Sequence, residues 1–225
     1  MESLITFMEI VLINVLLSGD NAVVIAMASQ HLPPVQRKRA VWWGALAAVG
    51  LRCLLTFAAL SLLNTPYLQA AGSVLLLYIA VKLLTDSEGS PGDKHRAGPK
   101  SKSLGQAIRT IVAADFIMSL DNVLAIAAVA EGEPVLILLG IALSIPMIIW
   151  GSQLIGTMLH RFPVLVYVGA GLLGYTAGEM FVHDNGMQDI WLRNVPTAAE
   201  AIPLFCVPLV IIAGILLRRR SQREL

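Results

Sequence analysis

Seven long apolar segments are the feature that most limits how this chain can fold. They are Leu4–Ala28, Val41–Leu63, Pro66–Leu84, Gly105–Ala130, Pro134–Thr157, Pro163–Val182 and Ala201–Leu217. Each reaches or nearly reaches the ~20 residues that a helix needs to cross a bilayer. Only 14% of the residues are charged, against about 25% in soluble domains. We therefore predict an all-α, polytopic membrane protein with seven transmembrane helices. This excludes a soluble enzyme, a disulfide scaffold and a nucleic-acid binder.

The distribution of lysine and arginine predicts the orientation of the chain, because cytoplasmic connections are enriched in both. Every second connection and the C-terminal tail are basic, and together they hold twelve such residues, whereas the opposite connections hold Arg193 alone. The twelve are Arg37, Lys38, Arg39, Lys94, Arg96, Lys100, Lys102, Arg161, Arg218, Arg219, Arg220 and Arg223. We expect the inner (plasma) membrane, with the N-terminus outside and the C-terminus in the cytoplasm.

The chain contains two related halves. Residues Ile10–Ala28 and Ile111–Val129 are identical at seven of nineteen positions, and both contain an Asp-Asn pair. Three helices per half place the second half in the membrane upside down, a plan typical of secondary transporters. The predicted regions are a first repeat (1–84), a flexible basic cytoplasmic loop (85–103), an inverted second repeat (104–182), an extracytoplasmic loop (183–200), and a seventh helix with a basic tail (201–225).

Four charged side chains lie deep within the apolar segments: Asp20, Arg52, Asp115 and Asp121. A charged residue near the bilayer centre costs about 2.5–3.5 kcal/mol on insertion scales. These side chains must therefore face one another, a cavity or an ion. A rise of about 1.5 Å per residue places Asp20 at the level of Asp115, and Asp121 at the level of Asn14, with Arg52 between the two levels.

The polar groups in the membrane are mostly hard oxygen donors, which suit Mg²⁺, Ca²⁺ and Mn²⁺. The predicted ligands of a divalent cation are Asp20, Asn21, Asp115, Asp121 and Asn122. A supporting or gating role is open to Asn14, Arg52, Met118 and Glu179. Arg52 is either a permanent counter-ion or a group that leaves the acids when the ion arrives. The asparagines are alternatively interhelical hydrogen-bonding groups, and Met118 is alternatively a packing residue.

These residues resemble the TerC/Alx family of integral membrane proteins, within the wider group of LysE-like exporters. The matching stretches are Gly19-Asp20-Asn21-Ala22-Val23-Val24-Ile25-Ala26 and Asp115-Phe116-Ile117-Met118-Ser119-Leu120-Asp121-Asn122-Val123-Leu124-Ala125. The resemblance covers nearly the whole chain and is to a short form without regulatory domains. It implies Mn²⁺ export from the cytoplasm.

The leading functional hypothesis is therefore a secondary transporter that exports a divalent cation, with Mn²⁺ first, and not an enzyme. We expect no cofactor; the partners are the cation and the lipid bilayer, with a homo-oligomer left open. One alternative is an exporter of a small organic solute such as an amino acid. Another is an intramembrane aspartyl protease, in which two aspartates share a proton.

Overall fold

The structure is a computed structural model that describes residues 19–63, 66–87, 103–129, 134–190 and 196–223. Its helices are α1 (Gly19–Ser29), α2 (Pro34–Leu63), α3 (Leu68–Ser87), α4 (Leu104–Val129), α5 (Pro134–Arg161), α6 (Val164–His183), α7 (Asn185–Ile190) and α8 (Pro196–Arg223). Every regular element in these residues is an α-helix, which confirms the all-α prediction for this part of the chain.

Local signals in the sequence explain several helix boundaries. Helices α2, α5 and α8 begin at a proline, which suits the first helical position because its missing N–H has no partner there in any helix. Helix α4 begins with a reciprocal cap: the Gln106 amide donates to Ser103 Oγ, and the Ser103 amide donates to Gln106 Oε1, both at 3.2 Å. This Ser-x-x-Gln arrangement satisfies backbone donors at the helix start.

Contacts between helices show that their directions alternate. Gly44 lies against Ile111, and eight residues further along α2, Arg52 reaches Asp115, so α2 and α4 run parallel. Helices α3 and α6 run antiparallel, because Gly72 lies against Met180, whereas Tyr67, just before α3, lies against Gly186, just after α6.

One end of the bundle collects the chain segments that the sequence predicts to be cytoplasmic. Here Gln30 donates to Ser87, and Arg37 Nη1 lies 2.8 Å from His160 Nε2. Leu32, Ala40 and Ala107 form a small apolar cluster at the same end. We call this end the basic end.

Asp184 closes the opposite end. Its carboxylate accepts hydrogen bonds from the backbone amides of Tyr67 (3.2 Å), Ala70 (3.2 Å) and Met187 (3.1 Å). It therefore caps the starts of α3 and α7 together, and Tyr67 takes the left-handed backbone conformation (φ 65°). The sequence predicts only a loop from residue 183, so the short helix α7 and the start of α8 at Pro196 differ from that expectation.

The surface of the bundle is apolar. Large side chains on several helices are exposed, including Trp150 (72%) on α5 and Phe205 (73%) on α8. Soluble monomers rarely expose apolar patches beyond a few hundred Å², so these faces suit lipid. Among the described residues, three helical stretches have the length and composition to cross a membrane: Leu68–Ser87, Val164–His183 and Ala199–Arg218.

Candidate functional site

An ion pair lies inside the bundle, between α2 and α4. Arg52 Nη2 donates to Asp115 Oδ1 at 2.8 Å, and the two side chains are only 1% and 5% exposed. Arg52 Nε also donates to Ser119 Oγ at 3.1 Å, and the Ser119 hydroxyl donates to Asp115 Oδ2 at 3.1 Å. These three residues, which we call the Arg52 cluster, form a closed ring of hydrogen bonds.

Helical geometry explains why two members of this ring come from one helix. Asp115 and Ser119 are four residues apart on α4, so their side chains lie on the same face. Arg52 reaches across from α2 with a planar guanidinium, whose several N–H donors can engage a carboxylate and a hydroxyl at once. Removing one partner of such a buried pair costs about 3–5 kcal/mol, because the remaining charge is left uncompensated. The Arg52 cluster is therefore a buried polar group in an apolar bundle, held together by its own ion pair and hydrogen bonds.

The first Asp-Asn pair lies beside this cluster, at the start of α1. The Asp20 Oδ1 atom accepts a hydrogen bond from the Asn21 backbone amide at 2.8 Å. Asp20 is close enough to Arg52 and Asp115 to interact electrostatically with both. The structure thus brings three of the four deep charges together.

A small cavity opens next to Asp115. It is lined by Asn21, Val24, Ile25, Ala48, Ile111, Asp115 and Ile148, which belong to α1, α2, α4 and α5. Its free volume is about 10 Å³, roughly the space that one water molecule requires. Among the lining residues that the structure describes, Asn21 and Asp115 bring oxygen donors, and the others are apolar. The cavity therefore suits one small, hard species held by oxygen atoms.

Two other candidate residues lie apart from this cavity. Met118 is 2% exposed and packs in the apolar core of the bundle, so the described contacts give it a packing role. Glu179 lies on α6, one turn from its end at His183, and accepts a hydrogen bond from the Tyr175 hydroxyl at 3.1 Å. This position belongs to the Asp184 end of the bundle and not to the Arg52 cluster.

Three predicted site residues are not described at the side-chain level. Asn14 lies outside the described residues, and the side chains of Asp121 and Asn122 do as well, although their backbone belongs to α4. Among the described side chains, no group of three or more His, Cys, Asp or Glu residues is arranged to hold a metal. The described part of the site is therefore two carboxylates and one carboxamide, with an arginine between α2 and α4.

Sequence reasoning missed Ser119 as a member of the site. The signal was present, because Ser119 follows Asp115 by one helical turn and precedes the second Asp-Asn pair. Its role became visible only when α2 brought Arg52 to that face of α4. Asp184 was also missed, since its partners Tyr67 and Ala70, at the start of α3, lie more than one hundred residues earlier in the chain.

Comparison with known proteins identifies a family that the chain matches. The model of the "Integral membrane protein TerC family" matches residues 1–222. The uncharacterized membrane protein YjbE of Bacillus subtilis (strain 168) is 47% identical over 214 residues, which is 95% of each chain. From the same organism, the uncharacterized membrane protein YkoY is 30% identical over 164 residues, 68% of this chain and 48% of that protein. No solved structure matches the chain significantly.

Proposed function

Because the chain belongs to the integral membrane protein TerC family, we propose that it is a secondary transporter that exports a divalent metal cation from the cytoplasm, with Mn²⁺ as the leading candidate. The observation that carries this proposal is the buried carboxylate of Asp115, which borders a cavity for one small species and shares it with Asn21. A charged side chain buried in a membrane-spanning bundle raises the free energy of the folded state, and such residues are typical of ion pathways and binding sites.

The size and chemistry of the cavity favour an ion over an organic solute. A volume of about 10 Å³ is far below the roughly 300–1,000 Å³ of pockets that hold small molecules. Carboxylate and amide oxygens prefer hard divalent cations. We propose Asp20, Asn21 and Asp115 as ligands from the described part of the site, and Asp121 and Asn122 as further ligands.

The packing of the helices supports an inverted repeat of α1–α3 and α4–α6. In such a repeat α1 corresponds to α4, α2 to α5 and α3 to α6. The packing of α2 against α4 then has a counterpart in the packing of α5 against α1, and both pairs are in contact. In the same way, the packing of α1 against α6 has a counterpart in that of α4 against α3, and both of these pairs are also in contact. Such internal symmetry provides two related states that open to opposite sides. We propose seven membrane-spanning segments in the inner membrane, with the basic end in the cytoplasm.

A proteolytic site would need two carboxylates that share a proton, and the two aspartates of the Asp-Asn pairs, Asp20 and Asp121, are the candidates. The side chain of Asp121 lies outside the described residues. The ion pair argues only against Asp115 as a member of such a site, because Asp115 is paired with Arg52 and accepts a hydrogen bond from Ser119. Export of an amino acid is tested by the same preparation as metal export, because labelled amino acids and Mn²⁺ can be offered to one batch of proteoliposomes.

The test is Mn²⁺ transport by Asp20→Asn and Asp115→Asn variants in proteoliposomes. Each change removes one negative charge while keeping the size of the side chain, so we expect at least about a tenfold loss of transport. Glu200→Gln, a matched loss of charge at an exposed position of α8, is the control and should transport normally. Full Mn²⁺ transport by either aspartate variant would show that the proposed ligands are wrong.

A further inference from the structure

Arg52 is the largest fully buried side chain in the described part of the chain. A buried arginine beside a proposed cation site is unexpected, because a positive charge repels a second cation that approaches it. Among the described contacts, its guanidinium binds Asp115 and Ser119, both on α4. The position of Arg52 therefore favours a part in the binding and release of the transported ion.

The carboxylate of Asp115 is already engaged in this structure. Its Oδ1 atom accepts from Arg52, and its Oδ2 atom accepts from Ser119. The same residue borders the cavity with Asn21. A cation that enters the cavity thus meets a carboxylate whose charge is balanced by Arg52, and strong binding requires that this balance change.

The charges of the site match such an exchange. Asp20 and Asp115 together carry two negative charges, and Arg52, which interacts electrostatically with Asp20 as well, carries one positive charge. With Arg52 in place, these three residues have a net charge of −1. If Arg52 withdraws, the charges of Asp20 and Asp115 together balance one divalent cation, so the exchange of Arg52 for the cation leaves this described pair of carboxylates neutralised.

We propose that Arg52 is a tethered competitor of the transported cation. Its guanidinium occupies Asp115 when the site is empty, releases Asp115 when the cation binds, and returns to displace the cation when the site opens to the outside. This inference rests on the proposed function and makes Arg52 a positioning residue that sets both the affinity and the rate of release.

The test uses an Arg52→Ala variant of the full chain, purified and reconstituted in proteoliposomes, with guanidinium chloride as an external substitute for the lost side chain. We expect the Kd for Mn²⁺ to fall by at least about tenfold, since the competitor is gone. Both the KM and the maximal rate of transport should fall, because the cation binds tightly and leaves slowly. Arg109→Ala, an exposed arginine on α4, is the matched control and should change neither value.

Added guanidinium separates competition from simple charge balance. As a competitor it should raise the apparent Kd of Arg52→Ala for Mn²⁺ in proportion to its concentration, without a plateau, and restore the maximal rate. Sodium chloride at equal ionic strength controls for screening. A plateau, an absence of any guanidinium effect, or an unchanged or weaker Mn²⁺ affinity in Arg52→Ala would each overturn the proposal.

A second variant covers the case in which Arg52→Ala does not fold. Lysine keeps the charge, but its single ammonium lacks the planar fork that joins Asp115 to Ser119. Arg52→Lys should therefore show a smaller decrease in Kd, with KM and maximal rate again falling together, and unchanged values would overturn the proposal. Failure of the proposed function itself looks different, because the wild-type chain would then neither bind nor transport Mn²⁺.

Discussion

The hydroxyl of Ser119 joins the two charged side chains of the Arg52 cluster. It accepts from Arg52 and donates to Asp115, and it is fully buried. Each of the two charged groups has this hydroxyl as one of its described hydrogen-bond partners. The smallest member of the cluster thus bridges its two charged members.

Removing this hydroxyl should weaken the folded state. We expect Ser119→Ala to lower the free energy of unfolding by about 1–2 kcal/mol, because a buried guanidinium N–H and a carboxylate oxygen each lose a partner. The measurement is reversible unfolding in mixed micelles. Ser152→Ala is the control: that hydroxyl is equally buried, but its described hydrogen bond goes to the Ile149 carbonyl of its own helix, so the loss should stay below about 0.5 kcal/mol. Equal losses in the two variants would contradict the assigned role of Ser119.

Close packing between whole helices depends on glycines along one face of α6. Gly171, Gly174 and Gly178 lie against Val207, Cys206 and Pro203 of α8, in an antiparallel order. A methyl group at Gly174 would lie 2.8 Å from the Cys206 carbonyl oxygen, and one at Gly178 would overlap Pro203. Small residues let membrane helices approach closely where no hydrophobic driving force exists between them.

Gly174→Ala should cost about 1–3 kcal/mol of unfolding free energy, because backbone and not a flexible side chain blocks the added methyl group. Gly50→Ala on α2 is the matched control, since, beyond its own turn of helix, no atom of the described residues lies within 4 Å of the added group. Its effect should range from neutral to a gain of about 0.5–1 kcal/mol from the lower backbone entropy. The same assay compares both, and a neutral Gly174→Ala would place α8 farther from α6 than the structure does.

At the scale of the whole molecule, the described contacts bring together segments that the charge pattern assigns to one side of the membrane. The end of α1, the start of α2, the end of α3 and the end of α5 meet at the basic end. Asp184 joins the starts of α3 and α7 at the other end. Contact geometry and charge distribution are independent observations, and they agree on which connections share an end.

Labelling of introduced cysteines in intact cells tests which end faces the cytoplasm. Both introduced positions are exposed at an end of the bundle: Asn185 near Asp184 and Ser103 at the basic end. A membrane-impermeant maleimide should label Asn185→Cys in intact cells and Ser103→Cys only after permeabilisation. The unmodified chain is the control, because Cys53 and Cys206 lie within apolar segments and should stay unlabelled. The reverse pattern would overturn the proposed orientation.

Some features of this protein follow from its sequence alone, because they depend on neighbours along the chain. Long apolar segments dictate helices in lipid, where every backbone amide must be satisfied within its own segment. The Ser103–Gln106 cap and the helix starts at proline are equally local. The grouping of Asp20, Arg52 and Asp115 as deep charges also needed only depth along each segment.

Only the tertiary structure decided which of these groups touch. Arg52 pairs with Asp115 because α2 and α4 run parallel and turn those faces toward each other, and helix rotation about its axis is set by packing across the whole bundle. Packing between helices also determines that Asp184 caps the start of α3, and that Glu179 and Met118 lie apart from the cavity. None of these positions follows from neighbours along the chain. Hydrophobicity along the chain determines where a helix lies in the membrane, whereas the partner of each buried charge depends on atoms far away in sequence.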